Sequence, residues 1–551
     1  MTAQRARLVL VRPPVDVQHK FSKGVESLAL GALAAAARLD GHEVELVDSQ
    51  LYGWDEAQTA ERILQARPDV VGFTVTVNQF PPQLATIAGL LRDGGFGGVS
   101  LVGGHAVSFF PARIVEAVPQ LDGAVAGEGE QVIRFVLAAV AAGADWRRTP
   151  GVTAMVDGEA VSQPPVRIGD LARLPWAARD LMPDVIRLDA IPAIATSRGC
   201  YARCSFCSVP RFYGLDKGKP LASGAWLARP ARDVVAEIAH LHDSYGIDEL
   251  LIVDDEFFGG SEAGHQRATE ISDRLTAAGS PVRFAISCRA ENVTEPVMRR
   301  LRLAGLSHVF IGVESGSSDD LRFYAKGHSV AQNADAVRMV KDLGLTVQCG
   351  FMMFTPDSTL RTLRENVRFL EQVGELKPVS LNSTVDPHFG TPLIRRMARD
   401  GVLADHGLSL STFIRDPAAR SVKQVAQRVT DRYIGYMNFL AGVRSSITWE
   451  WRRPVPGRSA PTERVLDTFE AAVNTQLAGL VVTAIDAVAA GATQAELNCD
   501  LDAGLDQVRA RLDLGRALVV SQLEATEGTL RYWSHADLIE HQRAGERAVL
   551  A

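Results

Sequence analysis

The stretch Ile191-Pro-Ala-Ile-Ala-Thr-Ser-Arg-Gly-Cys200-Tyr-Ala-Arg-Cys204-Ser-Phe-Cys207 decides how the rest of the chain is read. A short β-rich run ends in a loop that gathers three of the six cysteines within eight residues, while Cys288, Cys349 and Cys499 stand alone. Six cysteines in 551 residues are too few for a disulfide framework, and thiols gathered this tightly point to a metal. Structural zinc takes four ligands, commonly as two separated pairs. Here the loop offers three thiolates, with no fourth Cys or His nearby. Three thiolates suit three irons of a [4Fe–4S] cluster, whose fourth iron is then open to another ligand. A zinc site borrowing a distant ligand is the alternative.

Downstream, further strand-like runs alternate with helical segments: ELLIVDD (249–255), VRFAISC (282–288), HVFIGVES (308–315), TVQCGFMMF (346–354) and PVSLNST (378–384). With the run before the cysteines they predict six βα units, a partial or complete parallel barrel over 191–400. Chemistry in such barrels sits at the C-terminal strand ends, where the polar residues of these runs cluster.

Upstream, LVLVRPP (8–14), EVELVD (43–48), DVVGFTVTV (69–77), VSLVGG (99–104) and GAVAG (123–127) interleave with helices. Near-continuous apolar strands imply a sheet covered on both faces. The expected fold of 1–145 is therefore a doubly wound, Rossmann-like (flavodoxin-like) α/β domain. Residues 146–190 read as a connector with a hairpin turning at Asp157-Gly158, and 401–551 as a helical C-terminal domain.

Composition narrows the partners. Hydrophobic residues make up 46% and charged residues 22%, the balance of a globular protein. A net charge of −7 leaves no electrostatic footprint for nucleic acid or an anionic membrane. The N-terminal apolar run is too short for a signal peptide, and the most apolar segment, Leu477 to Ala490, is interrupted by Asp486. The expectation is a cytoplasmic protein.

The Cys-x3-Cys-x2-Cys spacing, with Phe206 before the third cysteine, resembles the radical S-adenosylmethionine family. VDDEFF (253–258), Cys288-Arg289-Ala-Glu291, GVESGS (312–317), Lys326-Gly327 and DPHFGTP (386–392) follow in the order seen in that family. The resemblance implies that Cys200, Cys204 and Cys207 ligate a [4Fe–4S] cluster. It also implies that Phe206, Asp254, Arg289 and Glu314 lie at the S-adenosylmethionine site. One electron, from an external reductant of the flavodoxin or ferredoxin type, would then cleave S-adenosylmethionine to a 5′-deoxyadenosyl radical. Cys288 and Cys349 are expected to be small buried hydrophobes.

Residues 102–130 resemble the cobalamin-binding domain that precedes the barrel in one radical subclass. The resemblance implies a cobalamin site at the strand ends: Thr74, Thr76 and Asn78, the Gly103-Gly104-His105 turn and the Gly127-Glu128-Gly129 turn. The Asp-x-His-x-x-Gly motif that supplies a histidine to cobalt is missing, so His105 is expected to bond to corrin side groups instead. Relatives with this domain order are mostly methyltransferases acting on unactivated carbon, occasionally phosphorus, of small molecules. A minority rearrange, cyclise or oxidise. An electron carrier would need no substrate cavity. A methylthiolation enzyme acting on tRNA would bring an extra cluster and a basic appendage. The segment 444–458, with four arginines among aromatics, is read as solvated surface.

Overall fold

The structure is a computed structural model that describes residues 5–14, 24–75, 80–188, 190–213, 226–451 and 459–527. Among these residues the chain forms two principal sheets and a helical C-terminal unit.

The first sheet begins with β1 (Arg7–Arg12), β2 (Glu43–Asp48), β3 (Val70–Val75), β4 (Val99–Gly104) and β5 (Gly123–Val125), parallel and ordered β2-β1-β3-β4-β5. This is the flavodoxin-like order, and it reverses between β1 and β3, where such sheets open a crevice at their C-terminal edge. Leu8 and Leu10 pack on one face with Leu30, Ile133 and Leu137. Val9 and Val11 pack on the other with Ile63, Leu84 and Ile87. Helices cover both faces, which is why the strands read as unbroken apolar runs. The hairpin expected in the connector is β6 (Val152–Val156) and β7 (Glu159–Ser162), turning where Asp157 and Gly158 both have positive φ. It extends the first sheet antiparallel beyond β5 rather than standing apart.

The second sheet starts with β8 (Ala193–Ile194). A small antiparallel pair, β9 (Ser197–Arg198) and β10 (Leu227–Ala228), flanks the cysteine loop. Then come β11 (Glu249–Ile252), β12 (Arg283–Arg289), β13 (Leu306–Glu314) and β14 (Thr346–Phe351). The order β8-β11-β12-β13-β14 is parallel and sequential, an open barrel wall. The run 378–384, expected as a sixth strand, is instead the helix Pro378–Asn382, with one parallel bridge from Thr384 to Phe354. Pro378 occupies the first helical turn, where its fixed φ favours helix and its missing N–H costs nothing.

The two sheets are held together by later segments. Phe389, from DPHFGTP, enters the first domain's core against Phe110 at a centroid distance of 4.1 Å. Burying such a ring contributes about 2–3 kcal/mol. Beside it β15 (Leu403–Asp405) and β16 (Leu410–Thr412) form a hairpin, and Asp405 pairs with Arg113 at 2.9 Å. Beyond it lie the helices Pro417–Trp451, Ser459–Ala489 and Gln494–Glu527. The segment Arg464–Ala489 is long and apolar enough to cross a membrane by length and composition. Its Leu466, Val473, Leu477 and Val481 are fully buried in the core shared with the barrel. Asp486 pairs with Arg364 of the barrel at 3.0 Å.

Candidate active site

The cysteine loop starts where β9 ends, and Asp254 builds its footing. The Asp254 carboxylate accepts four hydrogen bonds, from Thr196 N (2.6 Å), Thr196 Oγ1 (2.5 Å), Ser197 N (2.9 Å) and Ser197 Oγ (2.7 Å). Its acceptor capacity is filled from within the protein. The expectation that Asp254 contacts S-adenosylmethionine is therefore corrected: it is the scaffold of the loop. Its neighbour Asp255 accepts one bond, from Gly199 N at 2.9 Å, and projects into a cavity. Its side chain is exposed within that cavity, whose walls still strip away enough water to push its pKa up to about 6.

Several further loop contacts come from the barrel. Ser205 N donates to Tyr324 O, Ser205 Oγ to Phe323 O, and Leu393 N to Ser205 O. Arg289 Nη1 lies 3.1 Å from Cys204 Sγ. The same guanidinium binds Glu291 and the Lys326 carbonyl and lies over the Tyr201 ring. Arg289 thus serves the cluster loop directly. Glu291 also accepts from Tyr201 Oη at 2.9 Å, and Asn292 Nδ2 donates to Tyr201 Oη and to Glu256.

Glu314 ends β13 with φ +68°, next to a register shift between Gly312 and Glu314. Irregularities of this kind re-aim a side chain at a strand end. Its Oε1 meets Lys326 Nζ at 2.7 Å, and that ammonium stands 6.0 Å from the centre of the Phe206 ring. Phe206 itself packs edge-on against Tyr324.

The donor set fits an iron–sulfur cluster. Three sulfurs come from one loop, and a guanidinium hydrogen-bonds one of them. Burial pushes the Cys200 and Cys207 thiols up to about 12, so in this setting metal coordination is what would deprotonate them. Among the described residues no three His, Cys, Asp or Glu side chains are set to share a single ion. A cuboidal cluster asks for something else, one thiolate per iron.

A cavity of about 790 Å³ opens between the C-terminal edge of the first sheet and the cysteine loop. Thr74, Gly103, Gly104, His105, Gly127, Glu128 and Gly129 line it from one side, and Phe206, Cys207 and Asp255 from the other. Thr76 and Asn78 lie outside the described residues, as does 452–458 of the arginine-rich segment. The glycine turns make a cradle. A Cβ on Gly104, at φ +124°, would lie 2.2 Å from the Val75 carbonyl oxygen. Ser108 Oγ donates to Gly104 O and accepts from Gly127 N, tying the two turns together. Glycine backbone and apolar walls at the crevice of a flavodoxin-like sheet fit a corrin.

Two expected cofactor contacts have other partners. Glu128 takes Ile168 N on one oxygen and Arg198 Nη1 on the other, both at 2.8 Å, and Arg198 Nη2 pairs with Glu130 at 2.5 Å. Its carboxylate therefore clamps the first domain to the strand that enters the cysteine loop. His105 Nε2 is hydrogen-bonded to Ser208 Oγ at 2.7 Å, and its ring stacks on Phe212. Burial, with a smaller contribution from His388, lowers its pKa to about 4, so it is neutral. Arg198 and Ser208 escape sequence reasoning. Their only signal is that they border the loop at either end.

Comparison with known proteins agrees with this arrangement. The model of the B12 binding domain matches residues 16–137, and that of the radical SAM superfamily matches 194–370. An uncharacterized methyltransferase of Pyrococcus horikoshii is 28% identical over 67% of this chain and 78% of its own length. The 4′-phospho-dehydrooxetanocin synthase of Priestia megaterium is 29% identical over 64% of this chain and only half of its own length. The cobalamin-dependent S-adenosylmethionine radical enzyme OxsB, solved with aqua-cobalamin, superposes with a TM-score of 0.72 at 19% identity. It covers 98% of this chain and 83% of its own, so the shared fold extends through the C-terminal helices. The cofactors are a [4Fe–4S] cluster, S-adenosylmethionine and cobalamin. The chain thus joins a B12 binding domain to a domain of the radical SAM superfamily, and it is a cobalamin-dependent radical S-adenosylmethionine enzyme.

Proposed function

We propose that this protein is a methyltransferase that places a methyl group on an unactivated carbon of a small, biosynthetic substrate. The observation that carries the reading is one cavity lined both by the glycine turns of the B12 binding domain and by Phe206 and Cys207 of the cluster loop. A substrate held there meets both halves of the chemistry at once. When bound, the cluster supplies one electron to S-adenosylmethionine, and cobalamin carries the methyl group. The protein's own groups hold these parts in place. Arg289 holds Cys204, Asp254 holds the strand that leads into the loop, and Glu314 is paired with Lys326, whose ammonium lies over Phe206, so that the cationic amino group of S-adenosylmethionine would find a carboxylate there. The electron comes from an external carrier of the flavodoxin or ferredoxin type.

The experiment needs no substrate. The reconstituted, reduced enzyme is incubated with cobalamin and S-adenosylmethionine deuterated in its methyl group. Labelled methylcobalamin and S-adenosylhomocysteine are the expected products. Formation of 5′-deoxyadenosine with no label on cobalamin would sink methyl transfer and favour a rearrangement, the reading to which the synthase name of one relative lends support.

A further inference from the structure

The cluster loop is anchored from two different domains. Gly199, Cys204 and Ser205 are bound by Asp255, Arg289, Phe323, Tyr324 and Leu393, all in the barrel. The end that carries Cys207 is held differently. Ser208, which follows it and is 4% exposed, makes its side-chain hydrogen bond to His105 across the domain boundary. Among the described residues no barrel side chain reaches the Ser208 hydroxyl. Phe212, in the short helix Val209–Phe212, donates its N–H to Ser208 O and stacks on the His105 ring at 4.6 Å and 21°. Phe109 packs against that ring at a tilt, 5.7 Å between centroids.

His105 is itself rigidly presented. It follows Gly104, whose backbone is pressed against Val75 and whose carbonyl is tied through Ser108 to Gly127. A continuous chain of packed and hydrogen-bonded groups therefore runs from both glycine turns, through His105 and Ser208, to Cys207. The turns line the cavity directly.

We propose that His105 and Ser208 are positioning residues that set Cys207 from the cobalamin-binding turns, so that filling the cavity changes the surroundings of the cluster. This rests on the reading of the loop as a cluster site and of the cavity as a cobalamin site. It assigns the imidazole of His105 to the loop and not to cobalt. Coupling of this sort is a free energy shared by two sites, so it acts in both directions.

The test uses the full chain, reconstituted anaerobically with iron and sulfide and reduced. With dithionite kept in excess, electron paramagnetic resonance of the cluster is recorded before and after adding hydroxocobalamin, which the dithionite reduces to cob(II)alamin. The wild-type signal shifts on addition. Ser208→Ala and His105→Phe, which keeps the stack on Phe212, retain their iron and lose the shift. Ser208→Thr, which keeps the hydroxyl, restores it. An unshifted wild-type signal, or a full shift in Ser208→Ala, overturns the proposal. So does nitrogen superhyperfine splitting of cob(II)alamin that His105→Phe removes, since the ring would then belong to cobalt. A wild-type chain that takes up no iron, or that retains no cobalamin on gel filtration, refutes the underlying site reading instead, and analysis of bound iron and cobalamin separates these failures from that of the proposal.

Discussion

Asp254 and Asp255 are adjacent, yet one carboxylate is saturated by four hydrogen bonds from Thr196 and Ser197 while the other holds a single backbone N–H and faces the cavity. Both follow the end of β11, and the chain bends at Asp255. Asp254→Ala strands two amides and the Thr196 hydroxyl, each worth about 1–3 kcal/mol when left buried and unmet, while the Ser197 hydroxyl keeps the Glu256 carbonyl. We expect a loss of roughly 3–5 kcal/mol in chemical denaturation, together with loss of bound iron. Asp255→Asn is expected to change stability by less than about 1 kcal/mol. Equal losses in the two variants would contradict the division of roles.

Cys204 is the buried cysteine of the three, and its sulfur faces Arg289. Cys204→Ala is expected to abolish both the iron-dependent visible absorbance and 5′-deoxyadenosine formation. Finding zinc at full occupancy in the wild type, with no such absorbance, would refute the cluster assignment.

Arg198 joins the domains through Glu128 and Glu130, whose side chains are 6% and 8% exposed. Removing one partner of a buried ion pair typically costs about 3–5 kcal/mol, because the remaining charge is stranded. Arg198→Met should therefore lower stability by that order. Arg198→Lys should recover little of it, since an ammonium cannot fork between two carboxylates. Combining Arg198→Met with Glu128→Gln and Glu130→Gln should restore much of the loss. A triple variant as unstable as the single one would show that the pairing is not the cause.

Asp320 supports the strand end that carries Glu314, accepting from Ser315 Oγ at 2.9 Å and from Asn366 Nδ2 at 3.3 Å. Burial pushes its pKa up to about 6 from the ordinary 3.8. A raised carboxyl pKa favours the folded state below the unfolded pKa, and that contribution is lost as pH rises through about 6. Relative to wild type, Asp320→Asn should gain stability between pH 4 and 7, by about 3 kcal/mol at most. Parallel pH profiles for the two proteins would rule this out.

The sequence alone determined the features that depend on near neighbours. Cys200, Cys204 and Cys207 act through spacing within one loop, and that spacing is written in the chain. The apolar runs of the first sheet declared a layer covered on both faces, because burial on two sides leaves no polar positions. The Asp157-Gly158 turn was legible from its residues, although not the sheet it would join. Pro378 overruled the β-like run that follows it, a local signal outweighed in reading by the expected periodicity of a barrel. The tertiary structure decided the rest, and the reason is distance along the chain. Asp254 meets Thr196 across 58 residues, Glu128 meets Arg198 across 70, and His105 meets Ser208 across 103. A carboxylate or imidazole carries the same symbol whether it faces a cofactor or holds a loop. Which it does depends on the donors and acceptors that folding brings within about 3 Å of it, and no local pattern encodes those partners.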